Sequence, residues 1–293
     1  MKNLIVNADD LGWTDGVNRG ILDAFRGGIV TSTSLLANGA AFAEAATLAK
    51  SAPRMGVGVH LNLSDGAPTA DRESVTSLLN DDGMLADSPE NLLLKRARRK
   101  LVLDEVEEEW DAQIKKVREV GIRPTHVDGH KHVHMLPGLF SIALRLAKKH
   151  GIEAIRVSLE ESSLRTALAS GQHRAGVVMK QGVQARGLKL LARDARKEAA
   201  RMGIGTADYF CGIAQTGELT LEGVEHLLKN LPDGTTELMC HPGYADDALQ
   251  KTATRLQGSR QKELEILTDT KIRNLVASRG IRLIDYGSVL QEV

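Results

Sequence analysis

Short apolar runs alternate with longer segments of helical periodicity along most of this 293-residue chain. A run at 4–7 is followed by helical spacing over about 17–27, and a run at 32–36 by helical spacing over about 41–51. A third run at 56–62 leads through a polar stretch to the strongly amphipathic segment 104–120, after which extended structure returns at 125–128. Helix 138–150, strand 154–157, a long basic helical region, helix 220–230, strand 236–240, helix 260–279 and strand 281–285 complete the expected order. Strands that alternate with helices in this way form parallel sheets with right-handed crossovers. About seven such units in a chain of this length predict an α/β fold closed as a (β/α) barrel, one domain spanning 1–293, rather than an open sheet.

Two segments interrupt the alternation. Residues 64–87 are polar and rich in Asp, Ser and Gly; because they follow a strand, a barrel places them as an insertion at its rim, near any site. Residues 172–201, inside an insertion over about 160–205, carry eight Lys/Arg against two Asp/Glu with Val and Leu interspersed. Such a pattern is a solvated helix face or, less commonly, a docking surface for an amphiphilic or anionic substrate.

Composition narrows the partners. The 38 basic residues balance the 38 acidic ones, so no global field attracts nucleic acid. The N-terminal apolar run is too brief for a signal peptide, and no stretch approaches a membrane span, so a cytoplasmic location is expected. Cys211 and Cys240 cannot build a disulfide framework, and they lack CxxC spacing.

The candidate chemistry lies where strands stop. The first strand ends on Asp9 and Asp10; the third carries His60 among alternating Val and Leu; TELMCHPGY sets His241 after an apolar run. Between them, THVDGHKHVH holds four of the nine histidines, and its His126, Asp128, His130, His132 and His134 are all evenly spaced. An extended chain would put all five on one face, but Pro124, Gly129 and Pro137 favour a strand ending near Asp128 and then a loop. Taken singly, each residue has an ordinary structural explanation. A parallel barrel, however, gathers all such strand ends on the face where barrel enzymes work. Two histidines and one carboxylate make a divalent-metal set with open positions, which suits hydrolysis by an activated water. No GxSxG elbow, Walker A motif or GxGxxG turn is present to support another scheme.

With VNADDLG (6–12), GIVTSTSLLANG (28–39), GVHLNL (58–63), RPTHVDGHKHVHMLP (123–137), ELMCHPGY (237–244) and the tail GIRLIDY, the chain resembles the YdjC-like carbohydrate deacetylases, relatives of the NodB-type polysaccharide deacetylases. The resemblance implies a distorted barrel and metal-dependent removal of an acetyl group from an N-acetylglucosamine-type unit of an oligosaccharide or glycolipid. Carried onto this sequence, it makes Asp10, His60 and His130 the metal ligands, Asp9 the base for the attacking water and His241 the acid for the departing amine. His126, Asp128, His132, His134 and Tyr244 are left to bind substrate or support the ligands. The family usually takes magnesium, whereas these ligand types suit zinc equally well. Length and the basic insertion are similar to the hopanoid-biosynthesis deacetylase branch. A homodimer and a peripheral membrane contact through 172–201 remain open, and a metal-dependent phosphoesterase or a non-catalytic sugar- or lipid-binding barrel are the competing readings.

Overall fold

The structure, a computed structural model, describes residues 1–160, 164, 168 and 194–292. Its frame is set by β1 (Lys2–Leu11), which is buried from Asn3 onward. β2 (Ser32–Leu35) and β6 (Gly234–Cys240) pair with it in parallel along its two edges. The order continues through β3 (Gly56–Leu61) and β4 (Val127–Gly129) on one side and β5 (Tyr209–Cys211) on the other, giving β4-β3-β2-β1-β6-β5. β7 (Arg282–Leu283) pairs with the first half of β1 at Asn3 and Leu4. All of these pairings are parallel, and β1 to β4 and β6 are buried along nearly their whole length, as expected of a parallel sheet covered on both faces.

The strand expected at 154–157 takes a different form. It makes isolated parallel bridges, Val127↔Ile155, Ala154↔Gly205 and Glu160↔Phe210, and so links the two edge strands β4 and β5 and curls the sheet. No regular ladder forms there because the segment turns tightly, with Leu159 N donating to Val157 O at 2.7 Å. α1 (Asp15–Gly27), α2 (Phe42–Lys50), α4 (Leu103–Glu119) and α5 (Leu139–Lys149) fall where the periodicity places them.

Two helices differ from expectation. Residues 260–279 do not form one helix: Asp269 adopts an extended conformation and caps a second helix, so Gly258–Thr268 and Thr270–Ser278 are separate. A further helix, α3 (Pro89–Ala97), begins at Ser88, whose hydroxyl accepts from Asn91 N, with Pro89 in the first turn. Residues 64–87 bury Val75, Leu78 and Leu85, and they are pinned to α4 by Glu109, which accepts from Thr69 N and Ala70 N. Most of the basic stretch 172–201 lies outside the described residues. No helix among the described residues is long and apolar enough to cross a membrane.

Candidate metal and catalytic site

The carboxylate pair at the end of β1 depends on an irregularity. Pairing with β2 shifts register between Ala8 and Leu11, and Asp10 takes a left-handed φ of 72°. A regular strand would send adjacent side chains to opposite faces; the bulge instead lets Asp9 and Asp10 line one cavity. His60 comes from β3. The chain leaves β4 at Gly129, and His130–Met135 winds into irregular 3-10 turns because Lys131 and His132 have φ of 51° and 58°. The five evenly spaced residues therefore diverge after Asp128.

Asp10, His60 and His130 bring one ligand atom each within 4.8 Å of one another, and all three are buried. Asp10 Oδ1 lies 2.9 Å from His130 Nδ1 and 3.6 Å from His60 Nε2, yet it accepts no aligned hydrogen bond. Its other oxygen is held by Arg260 at 2.5 Å. Burial would raise the Asp10 pKa, but His130 and Arg260 outweigh it and hold the carboxyl well below its usual range. Burial alone would lower the His130 imidazole; Asp10 and then Asp65 reverse this and raise it to about 9. An orphaned acceptor between two imidazoles that gathers positive charge fits a divalent cation, which would displace that proton.

His60 is oriented through its other ring nitrogen. β3 and β4 pair His60 with Asp128 in register, which puts His60 Nδ1 2.7 Å from Asp128 Oδ1. A carboxylate there fixes the tautomer that leaves Nε2 free for a metal. For His130 the corresponding neighbour is Asp65, 3.3 Å from Nε2.

Asp9 belongs to a different set. Arg156, from the bridging segment, forks onto it with Nη1 to Oδ2 and Nη2 to Oδ1, both at 2.7 Å, while Asn7 Nδ2 donates to Oδ1 at 2.8 Å. The same guanidinium reaches Asp128 Oδ2 at 2.7 Å and Glu237 Oε1 at 2.8 Å. Burial pushes Asp9 up, but Arg156 holds it below the usual carboxylate range, so it is ionised.

Asp9, Asp10, His60, His130 and His241 all line one cavity of about 720 Å³. Its floor carries these polar groups; Trp13, Leu93, Leu136, Ile213, Met239 and Leu256 add apolar wall.

The family model for YdjC-like proteins matches residues 3–278. The chain belongs to the YdjC-like family. This YdjC-like chain is 35% identical to a carbohydrate deacetylase of Geobacillus stearothermophilus, over 96% of each chain. It is 33% identical to a chitooligosaccharide deacetylase of Klebsiella pneumoniae subsp. pneumoniae, over 98% of each. A crystal structure from Enterococcus faecalis V583 superposes with a TM-score of 0.76 at 32% identity, covering 98% of both chains.

The other histidines of the THVDGHKHVH stretch in this YdjC-like protein divide between cleft and core. His132 lines the cavity and meets Ser158 Oγ through Nδ1 at 2.8 Å. His134 is buried, with Nε2 donating to the Arg156 carbonyl at 3.1 Å. His126 is buried too, stacked on Tyr286 with ring centroids 4.0 Å apart and its Nε2 3.3 Å from Ser34 Oγ. Tyr244 does not join them: its hydroxyl donates to Asp23 of α1 at 2.7 Å, beside a separate outer cavity.

The His126 ring needs a glycine beneath it. A Cβ at Gly58 would lie 2.4 Å from the ring's Cε1 and Nε2, and the ring has Tyr286 on its stacked face. Gly58→Ala is therefore expected to destabilise the protein by about 1–3 kcal/mol, the usual cost of overpacking, seen as a lower urea midpoint with unchanged slope.

Arg156 and Arg260, buried against the candidate site carboxylates, are the residues that the sequence reading missed. Arg156 stands inside the apolar run IEAIRVSL, where a charge must find a buried partner. That signal was available. Arg260, within the polar GSRQKELEIL, is only 1% exposed and gives no comparable sign.

Proposed function

We propose that this protein hydrolyses the N-acetyl group of an N-acetylglucosamine-type unit in an oligosaccharide or glycolipid. The observation that carries the reading is the meeting of Asp10, His60 and His130 beside an ionised Asp9 on the floor of one open cavity. The names of its relatives point the same way.

Asp10, His60 and His130 would hold one divalent cation, magnesium or zinc. Such an ion supplies a water of lowered pKa and polarises an amide carbonyl. Asp9, which keeps a lone pair on Oδ2 beyond those engaged by Arg156 and Asn7, takes the proton from the attacking water. Arg156 keeps that carboxylate aimed and charged. Burial pushes the His241 imidazole down to about 4 against the pull of Asp10 and Asp9, so the ring enters turnover neutral. Its part is to take up the proton that Asp9 removes from the water and deliver it to the departing amine, which restores both groups. The apolar wall excludes water around the acetyl group and sugar face, and Lys131, Thr216, Thr254 and Arg255 offer polar contacts.

A phosphoesterase with two metals fits less well. The second candidate ligand group, Asp9, His60 and Asp128, shares His60 with the first. Both of its carboxylates already lie 2.7 Å from Arg156, whose charge occupies the place of a second cation.

The test is acetate release from chitooligosaccharides, N-acetylglucosaminyl lipids and simple N-acetyl sugars with defined metals. Chelator is expected to abolish release and the restored cation to recover it. A metal-loaded protein inert towards the whole panel would favour the binding-protein reading instead.

A further inference from the structure

An arginine guanidinium offers two edges that can each grip a carboxylate: an end-on pair, Nη1 with Nη2, and a side-on pair, Nε with Nη2. Which edge a carboxylate meets sets where its oxygens point. In this protein Asp9 takes the end-on edge. Glu237, from β6, covers the side-on edge: its Oε1 lies 2.8 Å from Nε and 2.7 Å from Nη2 of Arg156. Glu237 is itself held, because Tyr286 donates its hydroxyl to Oε2. Both residues are 1% exposed.

Tyr286 is anchored at three points. Its ring stacks on His126, its hydroxyl meets Glu237, and its backbone N donates to Ser32 Oγ of β2 at 3.1 Å. Arg156 Cζ also lies over the Phe210 ring, 5.7 Å from its centroid. Arg156 is thus engaged on both edges, by Glu237 on one and by Asp9 on the other, with Asp128 also within reach of Nη1.

We propose that Glu237 and Tyr286 are positioning residues for the hydrolysis: they close the side-on edge of Arg156, so that the guanidinium presents its end-on edge to Asp9 while still reaching Asp128. The claim rests on the function proposed above, and it gives a purpose to the GIRLIDY tail. Burial pushes the Glu237 carboxyl up to about 7, against the pull of Arg156 and the Tyr286 hydroxyl.

Three substitutions test this. Glu237→Leu frees the side-on edge; kcat for acetate release is expected to fall about 10–100-fold, the usual range for a residue that orients a catalytic group, with KM within about twofold. Glu237→Gln keeps an oxygen for Arg156 and a polar contact for Tyr286, and should recover kcat to within about threefold of wild type, as expected when shape is preserved. Tyr286→Phe keeps the stack on His126 and loses only the hydroxyl; it is expected to lower kcat several-fold, and it carries the test if Glu237→Leu does not fold. Wild-type kcat in Tyr286→Phe and Glu237→Leu would overturn the proposal. So would a Gln variant as poor as Leu, or losses in kcat that follow melting temperature and vanish on cooling.

Crystal structures of the same variants separate this claim from the functional reading. If wild-type protein releases no acetate from any substrate, the reading of function fails, and positioning is judged by geometry alone. Arg156 should then swing its side-on edge towards Asp9 or Asp128 in Glu237→Leu or Tyr286→Phe. An unmoved Arg156 would refute positioning whatever the activity.

Discussion

Asp9→Asn is expected to lower kcat for acetate release by roughly 10²–10⁴-fold, the usual contribution of a positioned general base, while leaving one equivalent of metal in place. The substitution is isosteric, so the cavity keeps its shape. What changes is the proton affinity of the side chain: an amide cannot take a proton from water near neutrality. The metal should remain because Asp10, His60 and His130 are untouched, and because the partners of those residues, Arg260, Asp128 and Asp65, do not pass through Asp9. Arg156 loses one of its three carboxylates but keeps Asp128 and Glu237, which prevents its charge from being stranded. Full folding with little change in KM follows from that. Steady-state kinetics paired with elemental analysis of the purified variant checks both halves. Full activity in Asp9→Asn would show that another group removes the proton.

The strand ends were legible because burial and polarity conflict there. An apolar run that stops on Asp9-Asp10, or carries His60 and ends before His241, announces side chains that the core cannot absorb without partners. The pairing of those side chains was not legible, because register belongs to the sheet and not to one strand. Asp128 and His126 were expected to support His130, yet the β3–β4 register sets Asp128 opposite His60 and leaves Asp65, from the segment after β3, beside His130. The even spacing of THVDGHKHVH also misled in part, since two successive left-handed residues, Lys131 and His132, rotate His132 and His134 away from the face that His126 and Asp128 share with the strand. Left-handed backbone at non-glycine residues has a weak sequence signature. The capping signals at Ser88-Pro89 and at Asp269 were readable and would have supplied α3 and the break in the C-terminal helical region.

His130→Ala should empty the metal site and abolish acetate release, whereas His134→Ala should do neither. The two histidines are four residues apart in one motif, and only their surroundings separate them. His130 faces Asp10 Oδ1 at 2.9 Å, and its loss leaves two donors, Asp10 and His60, to hold a cation. A fall in affinity beyond about 100-fold is expected, more than the loss of a merely supporting partner causes. The fold should survive, because Arg260 still pairs with Asp10 and the vacated space opens onto the cavity rather than the core. His134 presents the opposite case. It is fully buried, its Nε2 donates to the Arg156 carbonyl, and its ring fills the space above Gly129, where a Cβ would lie 2.6 Å from Nδ1. Alanine there strands a buried carbonyl at a cost of about 1–3 kcal/mol and adds a void, so melting temperature should drop while metal content stays stoichiometric. Isothermal titration with the cation and a thermal melt of each variant distinguish the two. Metal lost from His134→Ala but retained in His130→Ala would mean that the ligand from this motif has been assigned four residues too early.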